Sequence, residues 1–270
     1  MKTLFDIMRM IDLQEEVVSK VVNIYKNINI DKYEDLIKGM LDIDTAVESR
    51  DKLKEILKPD PDNMKILTCM LYALRYTYEN YKEKGISEEI FRATTKCYTR
   101  FLNERFIGYQ EWVFDREWWT HKQICMSIFR LGELEFEMKN IDGDKFISIH
   151  IPSDSIIELE NVKESIKRAK EFFKEHYPDY ANVEYRCNSW LLSPSLKKLL
   201  PPSSRILAFQ SLFRIVEETY SSDGYISWVF KRKYDNFNEL PEETTLQRNM
   251  KKYLLKGYRI STALGILDLT

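Results

Sequence analysis

Hydrophobic positions in the first part of the chain recur at helical spacing. Up to about residue 105, apolar side chains return every three to four residues in several windows, which is the period of one helix face. The clearest window predicts a long helix that begins near Asn63 and ends before Gly85. Ser87 precedes two glutamates and has the position of an N-cap for the next helix. We therefore predict that this part is helical.

The pattern changes to period two after residue 105. Residues 133–138 alternate glutamate with leucine, phenylalanine and methionine, which is typical of a half-buried strand. A turn at 140–143 follows, in which Gly143 supplies conformational freedom. Residues 145–151 then form a second strand that ends at a proline. The two strands are predicted to pair as an antiparallel hairpin.

The remaining segments predict a mixture of helices and strands. Asn161 and Glu164 resemble a capping box at the start of one helix, and Pro241 lies near the start of the last helix. Between them we predict strands over 183–191, 211–217 and 225–231. The expected fold class is α+β. A helical N-terminal domain, residues 1–110, is predicted to pack on an α/β domain, residues 111–270, with a mainly antiparallel sheet.

Charge and composition exclude several classes of protein. Lys and Arg number 41 against 43 Asp and Glu, so the net charge of -2 argues against a dedicated nucleic-acid binder. The N-terminus lacks the apolar region of a signal peptide, and no run approaches the ~18 apolar residues of a membrane span. We therefore expect a cytoplasmic protein that binds neither nucleic acid nor membrane. The four cysteines are widely spaced and predict buried free thiols with no metal site.

Several segments of the second part resemble one protein family. These segments are residues 130–137, 149–152, 187–194, 204–210 and 240–248. Together they are similar to bacterial acyltransferase-domain proteins that have a helical N-acyltransferase N-terminal domain and a GNAT-like C-terminal domain.

The resemblance implies an acyl-CoA-dependent N-acyltransferase that uses acetyl-CoA or another acyl-CoA. The acyl group would pass directly from the thioester to a small-molecule or peptide amine. A general base would deprotonate the ammonium, a backbone N–H between splayed strands would polarise the thioester carbonyl, and a loop at a helix N-terminus would bind the CoA pyrophosphate.

The chain departs from the family in its phosphate-binding loop. GNAT enzymes typically carry a Gln/Arg-x-x-Gly-x-Gly/Ala loop, whereas no glycine here has Gly or Ala two positions later. The nearest glycine-bearing segment, residues 256–265, has different spacing. The missing loop favours a second interpretation, a catalytically inactive GNAT-like protein that binds a ligand or regulates. A third interpretation is a protein-interaction scaffold, because a fold does not determine a function.

His150 is the candidate general base, because imidazole is the side chain that most often transfers protons near neutral pH. The simpler alternative is a histidine at a strand end that bonds to backbone. Glu135 is a second catalytic candidate, since glutamates on central strands serve as bases in GNAT enzymes. Simple alternation instead favours a solvated row formed by Glu133, Glu135 and Glu137.

Cys187 is the third catalytic candidate, and it would need a neighbouring strand to bring its thiol to His150. The alternative is an inert buried thiol. The candidates for cofactor binding are polar residues on the strand of Cys187 and after the following proline pair. Arg205 in particular has the geometry of a bidentate phosphate donor, although the same segment reads as a helix start. These candidates are Ser189, Ser203, Ser204 and Arg205.

Overall fold

A computed structural model describes residues 1–220 and 222–268 of the chain. The chain divides into two compact units, with the boundary between Arg130 and Leu131. The first unit is helical, as its hydrophobic spacing predicts. Its α-helices are α1 (Leu4–Met10), α2 (Glu15–Asn27), α3 (Glu34–Gly39), α4 (Ala46–Ile56), α5 (Met64–Glu83), α6 (Glu88–Thr95), α7 (Cys97–Tyr109) and α8 (Glu117–Ile124).

Helix α5 is the centre of the first unit. It packs against α1, α2, α3, α6 and α8, and most of its residues are buried around its whole circumference, which is typical of a core helix. Its N-terminus is capped by Asp60, whose two carboxylate oxygens accept the amides of Lys65 and Ile66 at 3.0 Å each. Because α8 packs on α4 and α5, the compact unit extends beyond the boundary at residue 110 expected from sequence.

The second part is built on a six-stranded sheet in the order β1-β2-β3-β4-β6-β5. The fold is therefore α+β. Its strands are β1 (Ile128–Leu131), β2 (Leu134–Ile141), β3 (Asp144–His150), β4 (Glu184–Ser189), β5 (Phe213–Thr219) and β6 (Thr262–Leu267). Its α-helices are α9 (Leu159–His176), α10 (Arg205–Gln210), α11 (Gly224–Phe230) and α12 (Thr245–Leu255).

The sheet is mainly antiparallel, with one parallel pair. β2 and β3 form the predicted hairpin, in which Ile141 is paired with Asp144 across a two-residue turn. β3 and β4 run parallel, and α9 provides the crossover between them, since parallel neighbours cannot be joined by a tight turn. β6 lies between β4 and β5 and is antiparallel to both.

Two faces of the sheet differ in character. The apolar face includes Phe136, Ile147 and Ile149, all buried. Helix α9 presents an apolar stripe from Val162 to Phe173 and packs on β2. The opposite face carries charged and polar side chains, and it holds the candidate chemistry.

The structure corrects several predicted elements. Residues 225–231 were expected to form a strand, but Gly224–Phe230 is helix α11. Tyr225, Ile226 and Phe230 are buried in a small apolar cluster with α12, and this spacing suits a helix rather than a strand. The capping box at Asn161 is not formed, because α9 begins at Leu159 with Glu158 as its N-cap. Ser87 does cap α6 as predicted.

Candidate active site

The parallel pairing of β3 with β4 ends early, at Ser148 and Arg186. Beyond that point β3 stays paired with β2 as far as His150, and β4 stays paired with β6 as far as Ser189. β3 and β4 therefore each remain paired with the strand on their outer side, while the pairing between β3 and β4 stops. This separation of two central parallel strands is the feature around which the candidate site is built.

His150 lies at the end of β3, next to this separation. Its Nε2 atom is 2.8 Å from Oε2 of Glu137, and its side chain is about one quarter exposed. Glu137 is 3% exposed and also accepts from Lys139, whose Nζ lies 2.7 Å from Oε1. A carboxylate held by a lysine is acceptor-only, so Nε2 of the histidine donates to it.

Glu135 is the direct cross-strand partner of His150 and is 3% exposed. The structure therefore corrects the expectation of a solvated glutamate row, because Glu135 and Glu137 are both buried and only Glu133 is half-buried among the three. Buried carboxylates need compensating partners, as Glu137 has in Lys139 and His150. The polar face is thus a place where charge is held out of water.

The sequence analysis placed Glu137 in the glutamate row but did not select it as a catalytic candidate. Cross-strand counting could have found it, because the two-residue turn between Ile141 and Asp144 determines every pair of the hairpin. Glu137 is paired with Ser148, two positions from His150, and such diagonal neighbours lie within reach of long side chains.

Cys187 lies on the other side of the sheet from His150. Ser148 is opposite Arg186, so the alternating side chains of β3 and β4 place His150 with Arg186 on one face and Cys187 on the other. The thiol is fully buried, and burial raises its pKa to about 12. The thiol–imidazole pair considered from sequence is therefore not formed, although β3 and β4 are neighbours as that hypothesis required.

The cofactor-binding candidates lie beyond the end of β4. The hydroxyl of Ser189 accepts from the amide of Leu191 at 3.1 Å and so ends the strand in a tight turn. Ser203 is exposed. Ser204 is the N-cap of α10, where its Oγ accepts from Ile206 N at 3.3 Å. The hydroxyls of Ser189 and Ser204 thus have structural roles in a turn and a helix cap.

Arg205 joins the start of α10 to the start of α9. Its Nη1 atom donates to Oε1 of Glu158 at 3.0 Å, and both side chains are more than half exposed. Glu158 is the N-cap of α9 and follows the loop that leaves β3. Arg205 is thereby placed next to the helix N-terminus that directly follows the strand of His150.

The loop at that helix N-terminus, residues 151–158, contains no glycine. Glu133 holds it instead: its Oε2 accepts from Ile156 N at 2.8 Å and its carbonyl accepts from Ser155 Oγ at 2.6 Å. The Glu133 amide in turn donates to Ser165 Oγ of α9 at 2.8 Å. A carboxylate therefore takes a loop N–H of the kind that a phosphate would use.

A separate groove lies at another position on the second unit. Its volume is about 600 Å³, and its lining includes Lys170 and Lys174 of α9 and Tyr185 near the start of β4. This is the opposite end of β4 from the strand separation. The strand separation combines a histidine, a buried carboxylate and unpaired facing strands, whereas Glu184 is, among the described residues, the one acidic side chain that lines the groove.

Within residues 1–220 and 222–268, no group of three or more His, Cys, Asp or Glu side chains could hold a metal ion. Across the same residues, no helix has the length and apolar character needed to cross a bilayer.

Family comparisons agree with the two-part organisation. Residues 128–267 match the family model of the GNAT-like C-terminal domain, and residues 2–126 match that of the N-acyltransferase N-terminal domain. The chain belongs to this family of two-domain acyltransferase-type proteins. No curated protein matches the sequence.

Solved structures share the fold over nearly the whole chain. An acyltransferase in complex with CoA and 10C-teicoplanin has a TM-score of 0.81 at 20% identity, covering 100% of this chain and 88% of that one. An acyltransferase in complex with decanoyl-CoA and teicoplanin has a TM-score of 0.80 at 20% identity, covering 98% and 87%. A further complex with decanoyl-CoA has a TM-score of 0.70 at 18% identity and covers 100% of both chains.

Proposed function

We propose that this protein is an N-acyltransferase that moves an acyl group from acyl-CoA directly to an amine. The observation that carries the proposal is the His150–Glu137 pair beside the point where β3 and β4 separate. Family membership and the complexes of similar structures with decanoyl-CoA and with CoA support a CoA thioester as the donor.

His150 would act as the general base. The imidazole of His150, which bonds to Glu137 through Nε2, would take a proton from the acceptor ammonium. Glu137 stabilises the imidazolium that results, because an ionised carboxylate favours the charged ring. Lys139 contacts the other oxygen of Glu137 at 2.7 Å and so helps to hold the carboxylate in place.

The separated strands would bind the thioester. Beyond Ser148 and Arg186 the facing edges of β3 and β4 no longer pair with each other, and an unpaired edge can direct a backbone N–H at a carbonyl oxygen. The amine nitrogen attacks the polarised carbonyl and forms the new C–N bond. The C–S bond then breaks, and the CoA sulfur leaves as thiolate and takes the second proton that the nitrogen loses as the amide forms. The first proton remains on His150 until it passes to solvent.

Medium-length acyl chains and a teicoplanin-type amine are the first substrates to test, since similar structures hold decanoyl-CoA, octanoyl-CoA and teicoplanin. Purified protein is incubated with decanoyl-CoA and teicoplanin, and CoA release and acylated product are quantified by mass spectrometry. His150→Gln should abolish turnover while decanoyl-CoA binding by calorimetry is retained. His176→Gln, which alters a histidine at the far end of α9, should behave like wild type. Equal turnover by the two variants would remove His150 from the mechanism.

One observation favours the inactive alternative, a ligand-binding or regulatory protein. The loop at residues 151–158 has no glycine, and the Glu133 carboxylate already accepts from Ile156 N. A protein of this kind would show no CoA release with any amine. A thermal shift with teicoplanin but with no CoA ester would support that alternative.

A further inference from the structure

A second polar site lies on the same face of the sheet as His150. Extending the register of Ser148 with Arg186 by two residues brings Asn188 across the strand separation from His150. Asn188 is paired with Leu264 of β6, and Leu264 is paired with Glu217 of β5. One row of side chains thus runs across four strands, from the candidate base to Glu217.

Glu217 reaches this row through a β-bulge. Ile215 is paired with Gly265, so an unbroken ladder would place Val216 opposite Leu264. The register shift between Ile215 and Glu217 puts the glutamate there instead. A bulge that re-aims a side chain is common beside active sites, and this one exchanges an apolar side chain for a carboxylate on the polar face.

The row ends in a small cavity of about 60 Å³, lined by Asn188, Glu217, Thr219, Thr262 and Leu264. The side chains of Asn188 and Glu217 are exposed, and within the described residues 1–220 and 222–268 neither makes a side-chain hydrogen bond or ion pair. A water molecule occupies roughly 30 Å³ in the liquid, so the cavity has room for one small polar group.

The polar atoms that line this cavity favour a cationic ligand. Glu217 supplies a carboxylate, Asn188 supplies an amide oxygen, and the threonines supply hydroxyls, all of which accept from an ammonium group. The Glu217 carboxylate would repel an anionic group. An apolar group would displace water from the carboxylate without offering a hydrogen bond in return. Adjacent strands lie about 4.8 Å apart, so β3 and β5, three strands apart, place the two ends of the row roughly 15 Å apart.

We propose that this cavity binds a second cationic group of the acceptor. The acceptor is then an extended molecule with two amines that lies across β4, β6 and β5. One amine is acylated beside His150, and the other is held by Glu217 and Asn188. This inference rests on the proposed N-acyltransferase function and specifies its substrate class.

The test compares a diamine with a monoamine of the same chain, 1,12-diaminododecane with dodecylamine, using decanoyl-CoA as the donor. The matched control is Glu218, the next residue of β5, which is paired with Ala263 and so faces the other side of the sheet. We expect wild type and Glu218→Gln to prefer the diamine in kcat/KM by about tenfold. Glu217→Gln should bring that ratio close to one.

Two outcomes would overturn the inference. One is turnover without preference for the diamine in wild type, and the other is the same preference in Glu217→Gln as in Glu218→Gln. Either outcome leaves the proposed transfer reaction standing. If no amine releases CoA, the proposed function fails, and the cavity is then tested by binding alone. In that case spermine should bind wild type and Glu218→Gln more tightly than Glu217→Gln by calorimetry, and equal affinity in all three rules the cation site out.

Discussion

The Nε2 atom of His150 bonds to Glu137, which lies two positions along β2 from Glu135, the direct partner of His150 across the β2–β3 hairpin. The bond is diagonal and spans 2.8 Å between Nε2 and Oε2. Since Lys139 occupies the other oxygen of Glu137, the carboxylate is held from both sides and orients the ring. This arrangement is therefore typical of a base that is held in position, and not of a chance contact between side chains on one strand face.

Glu137→Gln should lower kcat by about 10²-fold, because the ring loses the charge that orients it and stabilises its protonated form. KM for decanoyl-CoA and the unfolding midpoint should change little if the role is positioning. Steady-state kinetics and thermal melting followed by circular dichroism measure these quantities. A variant that loses kcat only in proportion to its folded fraction would show that Glu137 is merely structural.

We propose that Arg205 contacts a phosphate of CoA, so Arg205→Gln should weaken CoA binding by about tenfold through the loss of a charge-assisted hydrogen bond. Glu158→Gln should tighten it, because it removes the carboxylate that now holds Arg205 at 3.0 Å. Calorimetry with CoA measures both effects. Arg168→Gln is the control, as Arg168 also pairs with a glutamate on α9. Acyl-pantetheine, which lacks the nucleotide, should bind all variants equally, and an equal loss there would contradict phosphate contact.

Cys187→Ala should retain turnover within about twofold, because the thiol lies on the face of the sheet away from His150. In native protein, Ellman's reagent should react at Cys125, which is partly exposed, and not at the three buried thiols. All four should react in denaturant. Fast modification of Cys187 in the folded state would contradict its placement.

The same thiol should make stability depend on alkaline pH. Burial raises the pKa of Cys187 from 9.0 to about 12, so the unfolded chain releases this proton first. The free energy of unfolding is unaffected by this group below pH 9 and decreases as pH rises from 9 towards 12. One pH unit above 9, the contribution is on the order of 1 kcal/mol. Urea titrations at several pH values should show that the free energy of unfolding decreases less with rising pH in Cys187→Ala than in wild type. An identical decrease in both proteins would contradict the raised pKa of Cys187.

Gly265→Ala should destabilise the protein by roughly 1–3 kcal/mol, as expected of overpacking. An added Cβ would lie 2.8 Å from Leu192 Cδ1 and 2.9 Å from Phe213 Cβ. Both distances are too short for carbon atoms, so neighbouring atoms would have to move. Gly224→Ala is the control, since its Cβ would meet only the flexible Ser222 Oγ at 3.2 Å. Urea unfolding compares the two, and equal stability would show that β5 and β6 can separate without cost.

Much of the fold could be predicted from local patterns of hydrophobic and turn residues. The helical period predicted α5, and the alternation at residues 133–138 together with the turn at Gly143 predicted the β2–β3 hairpin. The same patterns failed at residues 225–231, where a short apolar run suits either element and only packing against α12 decides. β6 was missed, because its Thr262–Leu267 segment has no strict alternation and is stabilised by its two neighbours.

The sequence by itself determined the family, the fold class and the presence of a histidine at the end of β3. Tertiary structure decided what surrounds that histidine. The separation of β3 from β4 depends on pairing between residues 38 positions apart, Ser148 with Arg186, and no local period encodes where such a ladder stops. Likewise, the face to which Cys187 or Glu217 points follows from register and from one bulge, since a shift of one residue moves a side chain to the other side of a sheet.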